Sequence, residues 1–493
     1  MKEGKYLAID FGAGSGRAII GVLSGNKIKL EEVHRFPNPI IKSFDSLQWD
    51  FLYLFNELKN GIKEAISMGH GDFDSVGVDT WGVDFGLISK EGQLLGSPFV
   101  YRDSRTNGMI ERAEESISKY EIYSKTGIQF MQINTLFQVL SMVKNNNQLL
   151  KCADQLLFMP DLFNYFLTGV KKTEYSIAST SQLLNAEKKV WDDNIFTALN
   201  LPKCLMSPII MPGNVIGKLL PSITRTFGLH DIDVVAVGSH DTASAVAAIP
   251  NLTKNSAYIS SGTWSLIGIE LDYPLISKES YENSFTNEGG IGGKIRFLSN
   301  VMGMWIIQQL KKEWENNGEQ LSFDVINKLA EDAKPFKFVI DTDDEGFLNP
   351  PSMIEAIHSF CARTNQKLPS SKGEYIRSVL ESLAFKYRTI IDKIEVLAKN
   401  ELNSIHIVGG GSQNMLLNQF SANANNRKVI CGPVEATAYG NIMVQAMAMN
   451  KISSVTEGRE IIGNSIILRE FEPKEINLWE SEYRKSLKIL EKN

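Results

Sequence analysis

Cysteine is scarce in this sequence, and the few cysteines lie far from one another. The chain of 493 residues has four, without a C-x-x-C pair and without a spacing typical of metal ligands. A disulfide framework and a zinc site are therefore not expected, and we interpret these residues as free thiols in a reducing compartment. They are Cys152, Cys204, Cys361 and Cys431.

A strongly basic segment is also absent. Lys and Arg number 51 against 57 Asp and Glu, which gives a formal net charge of −6 at pH 7. Because nucleic acids are bound through a positively charged surface, the sequence does not predict a nucleic-acid partner.

Long apolar runs are missing as well. No stretch approaches the roughly 18 apolar residues that a membrane-spanning helix needs. Near the N-terminus, Asp10 interrupts the sequence before an apolar run typical of a signal peptide can form. We therefore expect a cytoplasmic protein with no membrane partner. No pattern in the sequence indicates an oligomeric state.

The remaining composition is that of an ordinary globular protein, with 43% hydrophobic and 22% charged residues. At roughly 100–200 residues per domain, the length predicts two or more domains. No tandem repeat of fixed period is visible. One arrangement does recur, at 5–23 and again at 256–271: an apolar strand, a turn of small residues and a second strand. The recurrence predicts two lobes built on one plan, residues 1–243 and 244–493.

Helical patterns fill much of the sequence between these strands. Two short strands are expected within 75–89, and another strand runs into a glycine loop within 404–414. The stretches expected to be helical, wholly or mainly, are 52–67, 107–168, 299–315, 372–400, 435–449 and the last ~25 residues.

Three turns rich in Gly and Ser follow apolar strands, at 12–16, 260–263 and 409–412. The first, G-A-G-S-G-R, lacks the G-K-[ST] ending of a P-loop. It also lacks the G-x-G-x-x-G spacing of a dinucleotide-binding fold, and it precedes a strand instead of a helix. These two kinds of nucleotide site are therefore excluded.

Such turns can still bind phosphate, because backbone N–H groups without covering side chains approach phosphate oxygens closely. Asp10 ends the strand before the first turn, and a carboxylate beside phosphates implies a cation such as Mg²⁺, bound directly or through water. An ordinary hairpin with an exposed aspartate is the alternative. The hydroxyls of 260–263 suit terminal phosphates, and the glycines 409–411 suit the flat face of an adenine or ribose.

The segment SHDTASAVAA places Asp241 between the end of a strand and the start of a helix. One interpretation is a helix N-cap, a position where Asp is favoured. The other is a general base, because phosphoryl transfer to an alcohol needs a proton acceptor within hydrogen-bond reach of the hydroxyl. His240 and Thr242 flank Asp241 and could hold neighbouring hydroxyls of a substrate.

Taken together, these motifs resemble the FGGY carbohydrate kinases, a family within the actin-like ATPase superfold. The resemblance covers nearly the whole chain. The matching stretches are DFGAGSGR (10–17), HRFPN (34–38), GVDTWGVDFGL (77–87), YRDSRT (101–106), MPDLFNYFLTG (159–169), SHDTASAVAA (239–248), SGTWSLIG (261–268), HIVGGGSQN (406–414) and GPVEATAYGN (432–441). Within the family, DTWGVDFG and SHDTAS most closely resemble the members that act on L-rhamnulose.

The resemblance implies an α/β fold of two actin-like, ribonuclease H-like lobes with a nucleotide cleft between them. It implies ATP as the phosphoryl donor and Asp241 as the general base, while Mg²⁺ near Asp10 is expected from the first turn. The implied ATP contacts are Ala13, Gly14, Ser15, Gly16, Arg17, Thr263, Gln308 and Gly410, and the implied sugar contacts are Gly82, His240, Asp241, Thr242 and Asn300. Family members often have Ser where this chain has Gly14, which removes a hydroxyl but keeps the backbone N–H, so ATP binding is expected to survive.

The activity implied by the resemblance is ATP-dependent phosphorylation of L-rhamnulose at its 1-hydroxyl, which gives L-rhamnulose 1-phosphate and ADP. Two alternatives stay open. One is a kinase of another ketose or polyol, such as L-fuculose or D-xylulose. The other is an actin- or chaperone-like ATPase switch that binds protein instead of sugar.

Overall fold

The structure is a computed structural model that describes residues 3–319 and 321–490. The chain divides into two compact units. Unit 1 consists of Met1–Asn251, Glu270–Phe297 and Ala436–Ile466, and unit 2 consists of Leu252–Ile269, Leu298–Glu435 and Ile467–Asn493.

Strands and helices alternate along both units. The strands are β1 (Glu3–Phe11), β2 (Ser15–Ser24), β3 (Lys27–Pro37), β4 (Ile40–Ser43), β5 (Ser46–Trp49), β6 (Ser75–Thr80), β7 (Phe85–Ile88), β8 (Gln155–Phe158), β9 (Thr173–Glu174), β10 (Leu184–Asn185), β11 (Val190–Trp191), β12 (Ile209–Ile210), β13 (Asn214–Lys218), β14 (Asp233–Ala236), β15 (Ser256–Ser261), β16 (Trp264–Leu271), β17 (Thr286–Gly289), β18 (Ile295–Met302), β19 (Ser404–Val408), β20 (Lys428–Cys431) and β21 (Arg469–Phe471).

The α-helices are α1 (Phe51–Ser67), α2 (Met109–Glu114), α3 (Lys119–Thr126), α4 (Thr135–Lys144), α5 (Gln148–Cys152), α6 (Met159–Thr168), α7 (Tyr175–Ser179), α8 (Asp193–Ala198), α9 (Pro221–Phe227), α10 (Asp241–Ala247), α11 (Lys278–Glu282), α12 (Trp305–Asn316), α13 (Phe323–Asp332), α14 (Met353–Arg363), α15 (Lys372–Ala398), α16 (Met415–Asn425), α17 (Ala436–Ala448), α18 (Val455–Ser465) and α19 (Ile476–Leu490). Short 3-10 helices lie at Ser104–Thr106, Lys203–Leu205, Ile291–Gly293, Glu345–Phe347 and Gly410–Gln413.

Unit 1 is built on a six-stranded sheet in the order β13-β14-β6-β1-β2-β3. β1, β6 and β14 are parallel, whereas β2, β3 and β13 run antiparallel to their neighbours. The register pairs Asp10 with Asp79, and an isolated bridge pairs Thr80 with His240. Because the carboxyl ends of parallel strands meet at one edge of a sheet, the segments that follow β1, β6 and β14 lie close together.

In unit 2, strands pair in the order β18-β16-β15-β19-β20-β21. β15, β19 and β20 are parallel, and β16 and β21 run antiparallel to β15 and β20. Three parallel strands with an antiparallel strand on each side repeat the arrangement of β1, β6 and β14 with β2 and β13. The prediction of two lobes built on one plan is therefore confirmed.

Helices cover both faces of the six-stranded sheet, which explains why most of β1 and all of β6 are buried on both sides. α1 and α6 pack on one face, where buried side chains form the main core of unit 1. A second core lies among α4, α7 and α8. α17 packs against β1 and β6.

The contact between α17 and the sheet is held by buried amide side chains. Asn441 Nδ2 donates hydrogen bonds to the carbonyl oxygen of Gly77 at 3.2 Å and to Asp79 Oδ2 at 2.5 Å. Gln445 Nε2 donates to a backbone carbonyl of β1 at 3.0 Å, and its Oε1 accepts from Ser75 Oγ at 2.7 Å. Each hydrogen bond satisfies a buried polar group that would otherwise lack a partner, so α17 is fixed in one position on the sheet.

The units do not coincide with the two continuous stretches expected from the sequence, 1–243 and 244–493. The chain returns to unit 1 twice, at Glu270–Phe297 and at Ala436–Ile466. The second return contains α17 and α18, and the amide hydrogen bonds described above fix α17 to the sheet of unit 1. Sequence patterns show where an element begins and ends, but they do not show which sheet a distant helix packs against.

Two expected helices begin later than predicted. The prediction of a helix from residue 299 is wrong, because β18 continues to Met302 and α12 begins only at Trp305. A short, fully buried run does not distinguish strand from helix by its periodicity. At the C-terminus, α19 begins at Ile476 after β21, so the final helix is shorter than the predicted ~25 residues. Residues 491–493 lie outside the described residues.

All four cysteines are free in the structure, Cys361 and Cys431 being buried and Cys152 and Cys204 exposed. Among the described residues, no helix is both long and apolar enough to cross a membrane.

Gly440 is a point of very close approach between α10 and α17. A Cβ at this position would lie 1.9 Å from the carbonyl oxygen of Ser244, so the two helices could not keep their separation. We expect Gly440→Ala to lower the free energy of unfolding by about 1–3 kcal/mol or more, although Ala favours a helix over Gly by about 1 kcal/mol. Chemical denaturation followed by circular dichroism measures the change.

Gly463 in α18 provides the matched control, since a Cβ there would lie 3.4 Å from Pro250 Cβ, which is an ordinary contact. Gly463→Ala is expected to be neutral or to stabilise the protein by up to about 1 kcal/mol. Equal unfolding midpoints for the two variants would contradict the close approach of α10 and α17.

Candidate active site

The candidate catalytic aspartate, Asp241, begins α10, directly after the segment that follows β14. His240 occupies the N-cap position of α10 and Asp241 is the first helical residue, so the N-cap interpretation of Asp241 is wrong. Asp241 Oδ1 accepts hydrogen bonds from the backbone N–H of Thr242 at 2.5 Å and from its hydroxyl at 3.0 Å. The side chain is 31% exposed and can therefore be reached by a substrate.

The surroundings of Asp241 suit proton acceptance. Partial burial raises the pKa of Asp241, and the negative charge of Asp10 adds to this rise. A carboxylate with a raised pKa accepts a proton more readily near neutral pH than an ordinary one does.

A buried glutamate fixes the backbone just before the catalytic aspartate. Glu174 caps α7 and also accepts a hydrogen bond from the N–H of Ser239 at 3.3 Å. The hydroxyl of Ser176 donates to Glu174 at 2.5 Å and accepts from the N–H of His240 at 3.1 Å. Burial raises the pKa of Glu174 to about 7. The only signal for Glu174 in the sequence is its place just before a short helix.

The ring of His240 lies against a buried ion pair. Arg296 on β18 has a fully buried side chain, and Glu288 on β17 is 7% exposed. Arg296 Nη2 lies 2.9 Å from Glu288 Oε2 and 3.0 Å from His240 Nδ1. Burial alone would raise the pKa of Glu288, but the positive charge of Arg296 holds it below its usual value. Neither member of this pair was predicted from the sequence.

The loop between β6 and β7 places a glycine beside His240. A Cβ on Gly82 would lie 3.5 Å from His240 Nε2 and 3.4 Å from Thr180 Oγ1, so the missing side chain leaves space next to both polar atoms. The following residue, Val83, has φ +67°, a conformation that costs a β-branched residue about 1–3 kcal/mol. The predicted substrate contacts that lie together in unit 1 are Gly82, His240, Asp241 and Thr242.

The same loop ends at a fully buried carboxylate. Asp84 Oδ2 accepts hydrogen bonds from the indole N–H groups of Trp49 at 2.7 Å and Trp81 at 2.9 Å. Asp84 Oδ1 accepts from Gln138 Nε2 at 3.0 Å. Burial nevertheless raises the pKa of Asp84 to about 6. The motif DTWGVDFG contains Asp84, but its role as the anchor of the loop depends on partners that the sequence does not pair with it.

The first glycine-rich turn joins β1 to β2 as a tight antiparallel hairpin, as predicted. Asn38 closes it, because its N–H donates to the carbonyl oxygen of Gly14 at 3.1 Å and its side-chain amide donates to that of Gly12 at 3.0 Å. Ala13, Gly14 and Ser15 are exposed. The turn is therefore fixed by Asn38 through its backbone carbonyls, while its residues 13–15 remain exposed to solvent.

Carboxylates cluster where β1 and β6 end. Asp10 is 6% exposed, and its Oδ2 lies 2.5 Å from Nη2 of Arg17, which follows Gly16 at the start of β2. Asp79, its neighbour on β6, is fully buried. Burial, together with the negative charges of Asp10 and Asp241, raises the pKa of Asp79 well above its usual value. A cation would relieve the repulsion among these acids.

This set of oxygens fits Mg²⁺, which proteins hold through one or two carboxylates together with water and substrate phosphates. Asp79 Oδ1 is buried and has no hydrogen-bond partner among the described residues. Within residues 3–319 and 321–490, no group of three or more His, Cys, Asp or Glu side chains is arranged to hold a metal by itself. A Mg²⁺ ion would therefore need further ligands from water and a bound nucleotide.

In unit 2, two glycine-rich turns lie against each other. β15 ends at Ser261, and a Cβ on Gly411, in the turn after β19, would lie only 2.0 Å from Ser261 Oγ. Gly409 has φ +80°, a left-handed conformation that favours glycine. A Cβ on Gly410 would meet nothing within 4 Å, so the backbone there is open to a flat ligand.

Two further predicted ATP contacts are neighbours in unit 2. The hydroxyl of Thr263 donates to Gln308 Oε1 at 3.3 Å. The carbonyl oxygen of Thr263 accepts from the N–H groups of Gly303 and Trp305 at 3.1 and 3.3 Å, which ties the turn to the start of α12. The remaining predicted sugar contact, Asn300, lies on β18 in unit 2.

Two family models match the chain. Residues 5–248 match the FGGY family of carbohydrate kinases, N-terminal domain. Residues 257–449 match the FGGY family of carbohydrate kinases, C-terminal domain. Together the two matches cover most of the chain.

Curated relatives match over nearly their full length. The chain is 41% identical to the rhamnulokinase of Bacteroides thetaiotaomicron over 483 residues, which are 98% of this chain and 98% of the relative. It is 41% identical to the rhamnulokinase of Oceanobacillus iheyensis, over 94% of this chain and 97% of the relative. It is 38% identical to the rhamnulokinase of Bacillus subtilis, over 96% of each chain.

Solved structures share the fold. Gluconate kinase from Lactobacillus acidophilus has a TM-score of 0.82 at 15% identity, over 99% of this chain and 97% of the other. Plasmodium falciparum glycerol kinase with ADP has a TM-score of 0.79 at 15% identity, over 98% of this chain and 97% of the other. At this identity the likeness concerns the fold alone.

Asp84→Asn tests the anchor of the Gly82 loop. The pKa of Asp84 is about 6 in the folded protein and roughly 4 in an unfolded chain, so the folded protein binds more protons between these values. The stability linked to this proton is complete below about pH 4 and is lost as the pH rises to about 6. Asn does not titrate, so the free energy of unfolding of the wild type relative to that of Asp84→Asn should fall as the pH rises from about 4 to about 6. At about 1.4 kcal/mol per unit of pKa shift, the fall should be a few kcal/mol.

Urea denaturation at a series of pH values measures this difference. Asp231→Asn is the matched control, because the Asp231 side chain is 84% exposed and its difference from the wild type should stay flat. A difference for Asp84→Asn that does not change with pH would contradict the raised pKa of the buried Asp84 side chain.

Proposed function

This chain belongs to the FGGY family of carbohydrate kinases, and from that membership we propose that it phosphorylates L-rhamnulose at the 1-hydroxyl. ATP supplies the phosphoryl group, and the products are L-rhamnulose 1-phosphate and ADP. The similarity to rhamnulokinases over 94% of the chain or more carries the choice of sugar. The accessible carboxylate of Asp241 is what supports the assigned chemistry within the site.

Asp241 acts as the general base. The 1-hydroxyl of the sugar donates a hydrogen bond to this carboxylate and loses its proton to it, while the oxygen attacks the γ-phosphorus opposite the departing ADP oxygen. The raised pKa of Asp241 makes this proton transfer less unfavourable than it would be to an ordinary aspartate. Its hydrogen bonds from Thr242 fix the direction of the carboxylate.

Gly82, His240, Thr242 and Asn300 bind the other oxygens of the sugar. The space left by Gly82 is bordered by His240 Nε2 and Thr180 Oγ1, and both atoms can form hydrogen bonds with hydroxyl groups. A sugar loses its water when it binds, so a site of this kind must replace each of those hydrogen bonds.

ATP is bound by turns of small residues. The N–H groups of Ala13 to Arg17 bind phosphate oxygens, since Asn38 holds this turn in place from behind. Thr263 and the adjacent Gln308 provide further contacts to ATP. The open backbone at Gly410 suits the adenosine.

Mg²⁺ accompanies the nucleotide, with Asp10 as its ligand from the protein, directly or through water. When bound, the ion neutralises negative charge on the phosphates. Arg17, which is paired with Asp10, adds a second positive charge in the same region.

The proposal includes a cytoplasmic location. The reaction consumes ATP, and the four free cysteines suit a reducing compartment.

Release of ADP with four acceptors side by side tests the choice of sugar. With L-rhamnulose, L-fuculose, D-xylulose and glycerol, we expect kcat/KM to be highest for L-rhamnulose by about tenfold or more. Phosphorus NMR should show the phosphate on the 1-oxygen. A higher kcat/KM for another acceptor would reassign the substrate, and ADP release that no acceptor stimulates would favour an ATPase switch.

Replacement of the proposed base tests the mechanism. Asp241→Asn keeps the size of the side chain but cannot accept the proton, so kcat with L-rhamnulose should fall by roughly 10²–10⁴-fold, with little change in KM for ATP. The exposed-site variant Asp231→Asn should retain the wild-type rate. Near-normal turnover by a folded Asp241→Asn enzyme would exclude Asp241 as the base.

A further inference from the structure

We propose that Arg296 and Glu288 are positioning residues that hold His240 as a neutral imidazole with its proton on Nε2. In this form Nε2 donates a hydrogen bond to an oxygen of the sugar beside the hydroxyl that Asp241 deprotonates. The inference rests on the proposed function, because it gives a role to His240 in the same reaction. Neither positioning residue belongs to the motifs that indicate a carbohydrate kinase.

The first argument is the fixed position of the guanidinium group. Arg296 is fully buried, and its Nε donates to the carbonyl oxygen of Gly289 at 3.0 Å. Its Nη2 carries two hydrogens and has two neighbours, Glu288 Oε2 at 2.9 Å and His240 Nδ1 at 3.0 Å. The guanidinium group is planar, so these contacts leave Nη2 little freedom to turn away from the histidine.

The second argument concerns which atom can accept. A guanidinium group has five N–H donors and no acceptor. When Nη2 donates to His240 Nδ1, that nitrogen must carry a lone pair, so the proton of a neutral ring is on Nε2. A proton on Nδ1 would instead face the N–H group of Arg296.

The competing arrangement is a proton on Nδ1 that is donated to Glu288. The distance from His240 Nδ1 to Glu288 Oε2 is 3.3 Å, longer than the 3.0 Å to Arg296 Nη2. Glu288 Oε2 already accepts from Arg296 at 2.9 Å. The geometry therefore favours the lone pair on Nδ1, and Glu288 balances the charge of the buried arginine.

The last argument concerns the surroundings of His240 Nε2. Asp241 Oδ1 is 3.5 Å away, too far for a good direct hydrogen bond. The space beside Gly82 also borders Nε2. A sugar oxygen in this space would accept from Nε2 while a neighbouring hydroxyl donates to Asp241, so the sugar is oriented by one donor and one acceptor.

NMR of the ring nitrogens reads the tautomer directly and needs no substrate. Selective ¹⁵N labelling gives signals from the six histidines of the chain, and His240→Asn identifies those of His240. We expect an unprotonated Nδ1 and a protonated Nε2 in the full-length protein near neutral pH. A proton on Nδ1 would overturn the proposal.

The double variant Arg296→Met/Glu288→Gln removes the ion pair without leaving a buried charge alone. The His240 signals should then move towards the average of the two tautomers. The kcat for L-rhamnulose should fall by about tenfold or more, and KM for ATP should stay unchanged. A folded double variant with unchanged ring signals or unchanged kcat would show that the pair is structural only.

A second ion pair provides the matched control. Arg427 and Glu395 of unit 2 are 2.7 Å apart and partly buried, and Arg427→Met/Glu395→Gln should change neither the His240 signals nor kcat. If the Arg296 double variant fails to fold, Arg296→Lys keeps the charge and an N–H donor. It should retain the Nε2–H tautomer, and a proton on Nδ1 with full activity in that variant would overturn the proposal.

The two proposals can fail separately. A wild-type protein that does not phosphorylate L-rhamnulose contradicts the proposed function, whatever the histidine spectrum shows. An active wild-type protein with the proton on Nδ1 contradicts only the role of Arg296 and Glu288.

Discussion

The candidate site depends on the parallel pairing of β1, β6 and β14 in unit 1. Each of these strands ends at the same edge of the sheet, and the register sets Asp10 opposite Asp79 and Thr80 opposite His240. A shift of one residue in either pairing would turn these side chains to the opposite face. The hairpin turn, the Gly82 loop and the start of α10 therefore meet because of strand register, although they are far apart in the sequence.

Bringing these segments together also buries charged side chains, and each of them is stabilised by hydrogen bonds or by an ion pair. Asp84 accepts three side-chain hydrogen bonds. Glu174 accepts hydrogen bonds from backbone N–H groups and from a hydroxyl group, and Glu288 forms an ion pair with Arg296. Buried ion pairs contribute little net stability, because desolvation offsets their attraction. The contribution of these three carboxylates is to geometry. Asp84 fixes the loop that carries Gly82, Glu174 fixes the backbone before His240, and Glu288 with Arg296 fixes the ring of His240.

Local chemistry explains which parts of the site could be predicted from the sequence. The hairpin at 12–16, Asp241 with its flanking residues and the glycine turn at 409–412 each occupy one short stretch, where residue type and spacing indicate the conformation. Their elements were confirmed, whereas their roles toward ATP and sugar remain proposals. The family could be recognised from the same stretches, because each motif is a continuous segment that is visible in the sequence alone.

The residues that were missed have partners far away in the sequence. Glu174 acts on Ser239, Arg296 on His240, and Asp84 on Trp49 and Gln138. No local pattern marks such a pair, because each member alone is an ordinary charged or polar residue. The same reason explains why the packing of α17 on the sheet of unit 1 was not predicted: it depends on Asn441 and Gln445, which meet strands more than 300 residues earlier.

The shared plan of the two units makes their chemical difference informative. In unit 1, the segments after β1, β6 and β14 contain or follow acids, namely Asp10, Asp79, Asp84 and Asp241. In unit 2, the turns after β15 and β19 contain Ser, Thr and Gly without an acidic residue, and the segment after β20 has a single acid, Glu435. Carboxylates can take up a proton or bind a cation, whereas bare N–H groups and hydroxyls bind anionic oxygen without adding negative charge. Phosphoryl transfer needs both kinds of group, and the strand arrangement shared by the two units can carry either kind in its turns.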